Sequence, residues 1–386
     1  MFKITLEMLF SPKKIGSVQI KNRIVRSATF EGMASKEGYV TEQLIYFYKI
    51  LAQGGTGLII TSASAADSRY TVGSRCMCFN DDEFISGQKK LVQAVHEYSG
   101  AKIGAQIAHN GRQGTHPKYR PVAPSPVLYK PTNKIPKELT GGEIEEIIKK
   151  FALAGRRAYE SGYDMVQLHG AHGYLLSNFL SPYTNKRTDD FGGNTQKRTK
   201  ILVDIYHQMR DEVGKNFPII IKLQVLDGVE EGITLEEAKK ITQILVDTGY
   251  DAIEPSGGLS ELQMKSDNEL PSKKVKSQED ENYLSPAIKT LHPIMKKCAL
   301  IQVGGIRNPL SAEEILKANN CEFISLSRPL IREPNLPNRW RKGDFTPPSC
   351  ISCNSCLIAI FTGQPLHCVV EKRLERKKRK KNLKKL

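Results

Sequence analysis

Eight short runs rich in β-branched and apolar residues alternate with amphipathic stretches along most of the chain, and this rhythm restricts the fold more than any other feature. The runs lie at residues 23–28, 57–62, 102–107, 165–169, 218–223, 252–254, 300–303 and 323–326. Between them, apolar residues recur at helical spacing over 42–53, 82–98, 142–161, 196–213, 235–248, 285–297 and 312–318. Thr41, Thr195, Thr234 and Ser311 stand where four of these helices would begin, each with a hydroxyl for the free N–H groups of a first turn. Strands alternating with helices imply a parallel sheet whose crossovers are helical. Eight such units close into a (β/α)8 barrel. The competitor, an open doubly wound sheet, opens on a Gly-rich turn. Here the residues after the first run read TFEGMAS, without G-x-G-x-x-G. The expected class is therefore α/β, a TIM barrel over residues 1–340, then a Cys-rich segment at 341–370 and a disordered basic tail at 371–386.

Two connections are long for a compact domain, 109–140 and 256–282. Both follow C-terminal ends of expected strands, the face on which barrels build their sites. Prolines stiffen the first, while polar and charged residues dominate the second.

Charge and cysteines narrow the class. The chain carries 57 Lys+Arg against 41 Asp+Glu, a formal net charge of +16, and half of that excess falls in residues 371–386. A block of like charge reads as a solvated end. It has no interleaved aromatics for base stacking, so a nucleic-acid partner is not expected. No run of about 18 apolar residues offers a membrane span. The N-terminal residues lack the apolar core and small-residue site of a secretory leader, so a cytoplasmic location is expected. Of the eight cysteines, Cys350, Cys353, Cys356 and Cys368 are clustered, while the others are scattered. That is not the pattern of a secreted disulfide scaffold.

The densest chemistry ends the fourth run, where residues 166–174 read VQLHGAHGY. The glycines let the chain turn sharply, so His169, His172 and Tyr174 can converge at the barrel mouth. Taken alone, the two imidazoles could be a metal pair or ordinary loop histidines, although no third ligand follows at a zinc-like spacing.

The longer stretch 169–193, HGAHGYLLSNFLSPYTNKRTDDFGG, resembles the fourth-strand signature of the old yellow enzyme family of FMN-dependent ene-reductases. So do Lys21-Asn22-Arg23, the AQIAHNGRQ of 105–113, the VGGIR of 303–307 and the SRPLIREP of 327–334, in register from about residue 8 to 340. The resemblance implies that His169 and His172 donate hydrogen bonds to the carbonyl of an α,β-unsaturated substrate, stabilising a developing enolate. It implies that reduced FMN delivers hydride to the β-carbon and that Tyr174 protonates the α-carbon. Cofactor contacts are implied at Ser27, Ala28, Thr29, Gln106, Lys222, Gly304, Gly305, Ser327 and Arg328. Three positions depart from the pattern, one of them Ser327, which stands where a glycine is usual. Lys222 replaces the usual arginine and loses its planar fork. Phe30 stands where a Thr or Cys commonly tunes the flavin.

The spacing Cys350-x2-Cys353-x2-Cys356-x11-Cys368 resembles the iron–sulfur segment of the 2,4-dienoyl-CoA reductase and trimethylamine dehydrogenase branch, with one gap shorter by a residue. It implies a [4Fe–4S] cluster on those four thiolates. Zinc uses the same ligands, and a metal-free cluster is the third alternative. Longer members of that branch continue into a nucleotide-binding region, and no G-x-G-x-x-G follows the barrel here. NAD(P)H is then expected over the FMN face in alternation with a small-molecule substrate. With a cluster, electrons could instead come from a carrier protein, which makes an iron–sulfur-coupled dehydrogenase or demethylase, or a dienoyl-CoA-type reductase, the alternative function. A homo-oligomer is left open.

Overall fold

The computed structural model describes residues 5–98, 100–263, 270 and 272–383. Eight parallel strands close into a barrel in sequence order. Strands one to four are Ile24–Arg26, Leu58–Ala65, Lys102–Ala108 and Met165–Gly170. Strands five to eight are Ile219–Leu226, Ala252–Gly257, Ala299–Gln302 and Phe323–Leu326. Strand eight pairs back onto strand one, with Ile324 opposite Ile24 and Leu326 opposite Arg26. Every expected run is a strand.

The helices begin where side-chain caps allow. Thr41 accepts from the Leu44 N–H and Thr234 from the Glu237 N–H, as expected. The other two expected caps are corrected by one and three positions. Asn194, not Thr195, accepts from the Lys197 N–H, and Asn308, not Ser311, accepts from the Leu310 N–H. An Asn carbonyl caps as well as a hydroxyl, and Pro309 in the first turn after Asn308 presets the helical φ.

Strand alternation decides what faces inward. On strand four, Met165 joins the apolar core within the barrel, while Val166 and Leu168 pack outward beneath the helices. On strand five Ile220 points in and Ile219 and Ile221 point out; on strand six Ala252 points in and Ile253 out. Following the same two-residue period upward puts Gln167, Lys222 and Glu254 in the inward layer above this floor. A hairpin of Lys13–Ile15 with Val18–Ile20, not expected from the sequence, contributes Ile15 and Ile20 to the inner core. The barrel is thus apolar at its base and polar at its mouth.

The C-terminal segment packs onto that mouth. Arg332 Nη1 donates to the Ser349 carbonyl at 2.7 Å, and the Leu366 N–H donates to the Glu31 carbonyl at 2.9 Å. The basic tail, expected to be disordered, instead continues a helix over Val369–Leu383 with an exposed surface. Lys, Arg and Glu are strong helix formers, which extends the helix begun at Val369. Residues 384–386 of that tail and residues 264–269 and 271 of the 256–282 connection lie outside the described residues. Among the described residues no helix is long and apolar enough to cross a membrane.

Candidate active site at the barrel mouth

A cavity of about 610 Å³ opens over the polar layer, within the ~300–1,000 Å³ of small-molecule sites. Ser27, Ala28, Thr29, Phe30, Gln106, His169, His172, Tyr174, Lys222, Gly305, Ser327 and Arg328 all line it. Gly304 does not; it packs one residue back against Leu284 and Tyr283.

His169 and His172 lie with ring centroids 5.2 Å apart and nearly perpendicular, and Tyr174 sits 4.9 Å from His169. The turn that gathers them is held by force. His172 adopts φ 64°, a left-handed conformation unfavourable for most side chains. Its N–H donates to Gln224 Oε1 at 2.7 Å, and its carbonyl accepts from Gln113 Nε2 at 2.7 Å. Ser256, which sequence reading missed, places its hydroxyl 2.6 Å from His172 Nε2. Nδ1 is then the nitrogen His172 can turn to the cavity. His169 is the mirror case, because its Nδ1 is sealed without a partner among the described residues and Nε2 is what the cavity can reach.

Burial first, and then the charge of Lys222, pushes His172 down to about 3. Burial, then His172, holds His169 well below its usual value. His109, stacked 4.4 Å from Tyr70, is likewise lowered by burial to about 3. Tyr174 is moved the other way by burial and stays a phenol throughout the neutral range. The three buried imidazoles carry a stability consequence. The folded state binds fewer protons than the unfolded between the ordinary histidine value and the depressed one. Stability is therefore full above about pH 6.5 and falls as pH drops toward 3, by up to about 1.4 kcal/mol per group per pH unit. Guanidinium midpoints measured at pH 7.5 and 5.0 should show the lower value at pH 5.0, and equal midpoints would refute it.

The residues expected to face a cofactor form one polar layer. Lys222 Nζ is 2.9 Å from Glu254 Oε2 and donates to Ser27 Oγ at 3.2 Å. Gln106 Nε2 donates to Gln167 Oε1 at 2.7 Å. Thr29 Oγ1 and Ser327 Oγ lie 2.8 Å apart. At Gly305, φ is +76° and an added Cβ would come within 2.6 Å of Val275 Cγ2, so a side chain is excluded at this end of the cavity. Arg328 reaches that end while donating to Asn354 Oδ1 at 2.6 Å and to the Lys273 carbonyl at 2.7 Å. A paired amide edge, an ammonium, hydroxyls and a guanidinium beside a side-chain-free glycine suit a flavin mononucleotide.

Cys350, Cys353, Cys356 and Cys368 line a second, small pocket of about 20 Å³, and all four are free thiols. Cys356, Arg328, Ile331 and Asn354 belong to both pockets. The donor set suits a metal. Among the described residues, however, no three His, Cys, Asp or Glu side chains are gathered closely enough to hold an ion.

Comparison with known proteins gives the family. The model of the NADH:flavin oxidoreductase / NADH oxidase family matches residues 8–345. An NADH oxidase of Thermoanaerobacter brockii is 37% identical over 374 residues, covering 94% of this chain and 55% of that protein. The structure of a 2-naphthoyl-CoA reductase in complex with 2-naphthoyl-CoA superposes with a TM-score of 0.87 at 26% identity, over 94% of this chain and 57% of that one. An old yellow enzyme homologue from Zymomonas mobilis gives a TM-score of 0.72 at 24% identity, over 88% of this chain and 94% of that one, a likeness of fold. The chain spans about half the length of the NADH oxidase and the naphthoyl-CoA reductase. With a matched region that runs through the whole barrel and its mouth, this chain belongs to the NADH:flavin oxidoreductase / NADH oxidase family, the family of the old yellow enzymes.

Proposed function

We propose that this chain is an FMN-dependent oxidoreductase that reduces the C=C bond of an α,β-unsaturated carbonyl compound with electrons from NAD(P)H. The observation that carries this reading is the convergence of two neutral imidazoles and one phenol on the wall of a single cavity. FMN would be held by Gln106 and Lys222, by Ser27, Ala28 and Thr29, and by Gly305, Ser327 and Arg328, with Gly304 supporting the turn. When bound it supplies the hydride. The protein's own part is electrostatic. His169 through Nε2 and His172 through Nδ1 donate hydrogen bonds to the substrate carbonyl, where negative charge develops, and worth most where water is excluded. Ser256 fixes the His172 tautomer by donating to Nε2. Tyr174 holds a proton on Oη for the α-carbon, because burial keeps it from ionising. Phe30 and Tyr129 line the same cavity and favour a flat, conjugated substrate.

A second reading is supported by the shared wall at Cys356: an iron–sulfur-coupled FMN dehydrogenase, demethylase or dienoyl-CoA-type reductase served by an electron-carrier protein. An anaerobic spectrum with FMN and iron quantified on one sample separates the two. The first reading expects a yellow protein bleached by NADH or NADPH and reoxidised by an enone, with no iron. Iron near four per chain, lost in Cys353→Ser, favours the second. Colourless protein that ignores added FMN would end both.

A further inference from the structure

The polar layer under the cavity has a hub that does not itself line it. Glu254 is fully buried, at 0% exposure. Oε1 accepts from Ser27 Oγ and from Ser325 Oγ, each at 2.8 Å. Oε2 accepts from Gln167 Nε2 at 3.0 Å and pairs with Lys222 Nζ at 2.9 Å. Four donors satisfy one carboxylate, an arrangement that keeps a buried charge ionised. Ser27, Ser325 and Lys222 face the cavity, whereas Gln167 and Glu254 stand behind them. Strand pairing builds this: Glu254 lies opposite Lys222, and Gln106 opposite Gln167.

Two consequences follow from the chemistry of a carboxylate. First, it only accepts hydrogen bonds. Gln167 must therefore turn its amide nitrogen to Glu254, which leaves Gln167 Oε1 to accept from Gln106 Nε2 at 2.7 Å. Gln106, one of the cavity-lining residues, spends one N–H on this bond and keeps its carbonyl oxygen free to accept from the cavity. An amide that could be turned either way is thus held in the orientation that keeps its oxygen available as an acceptor, which suits a ring N–H. Second, Glu254 balances Lys222, so the lysine does not act on the cavity as a lone cation.

We propose that Glu254 is a positioning residue for the flavin: it fixes Gln106 as an acceptor toward the bound ring and sets how much positive charge Lys222 exerts on it. This rests on the FMN reading above. Burial works to raise the Glu254 carboxyl, but Lys222 and the serine and glutamine donors hold it below the usual range, in line with the geometry.

The test is the midpoint potential of the bound flavin, by equilibrium reduction of the FMN-loaded protein against a reference dye at pH 6. Glu254→Gln leaves Lys222 unbalanced and should favour the reduced flavin at least tenfold, about 30 mV for a two-electron couple. Lys222→Gln should shift the potential in the opposite direction. A merely structural ion pair would move both variants the same way, so shifts of equal sign, or no shift in Glu254→Gln, overturn the proposal. Glu254→Asp keeps the charge, and hence a folded protein, but withdraws it from Gln167. Its potential should stay within threefold of the original equilibrium while the FMN dissociation constant rises at least fivefold, and an unchanged dissociation constant overturns the relay to Gln106. Failure of the unaltered protein to take up FMN would strike the cofactor reading instead.

Discussion

Replacing His172 by alanine is expected to lower kcat/KM for enone reduction by about 10²–10³-fold, the usual cost of removing one donor aimed at a developing oxyanion. The effect should fall mostly on kcat, because the donor is worth most once the carbonyl carries charge. FMN content should be unchanged, since the His172 ring reaches the cavity beside Ser256 and not at the Gly305 and Arg328 end. The φ of 64° at this position supplies a control. Asparagine tolerates that conformation and offers an amide N–H, so His172→Asn should lie within about tenfold of the original. Stopped-flow rates for the half-reaction with the enone, taken beside the NADH half-reaction, isolate the step. Unchanged enone rates in His172→Ala would remove the histidine from the reaction.

The second large effect is on stability. Arg112 is 1% exposed and its Nη2 lies 2.5 Å from Glu261 Oε2, with Glu261 at 8%. The guanidinium also lies over the rings of Tyr129 and Tyr183, at 5.3 and 5.6 Å. Arg112 belongs to the connection after strand three, and Glu261 to the short helix Ser260–Gln263 after strand six. The pair therefore bolts together the two long connections that finish the mouth. Glu261→Gln strips the counter-charge from a guanidinium already short of partners at Nε and Nη1 among the described residues. Leaving a buried charge unpaired costs about 3–5 kcal/mol. The double variant Arg112→Met with Glu261→Leu removes both charges and should recover most of that loss. Guanidinium melts of the three proteins decide it, and a Glu261→Gln midpoint equal to the original would discard the argument.

Much of the barrel was legible because its signals repeat. Eight short runs of β-branched and apolar residues and seven stretches at helical spacing support one another, so an error of a residue or two at an end does not disturb the count. The hairpin ahead of strand one escaped notice because its two three-residue strands are too short to show a period. Among the candidate site residues, His169, His172 and Tyr174 stood out through density, with three titratable rings within six positions. Glu254, Gln167, Ser256 and Ser325 did not, since one polar residue at a strand end says nothing until the alternation is fixed to the inside of a closed barrel. A clue was available for Glu254: a carboxylate within AIEPSG, a run otherwise fit for burial, requires a partner. The cysteine spacing was readable, whereas the distances among the sulfurs depend on how the segment folds over the barrel. The caps at Asn194 and Asn308 show the opposite weakness, a hydroxyl preferred where an amide was as good.

Among the described residues, the aliphatic plug at the base of the barrel, sealed by Ile15 and Ile20, closes the inner chamber at that end and leaves the cavity to open at the mouth. On the proposed function, donor and acceptor would take turns at that mouth, each leaving before the other enters. Steady-state plots at several fixed concentrations of NAD(P)H should then be parallel lines, and a large excess of either reactant should throttle the other.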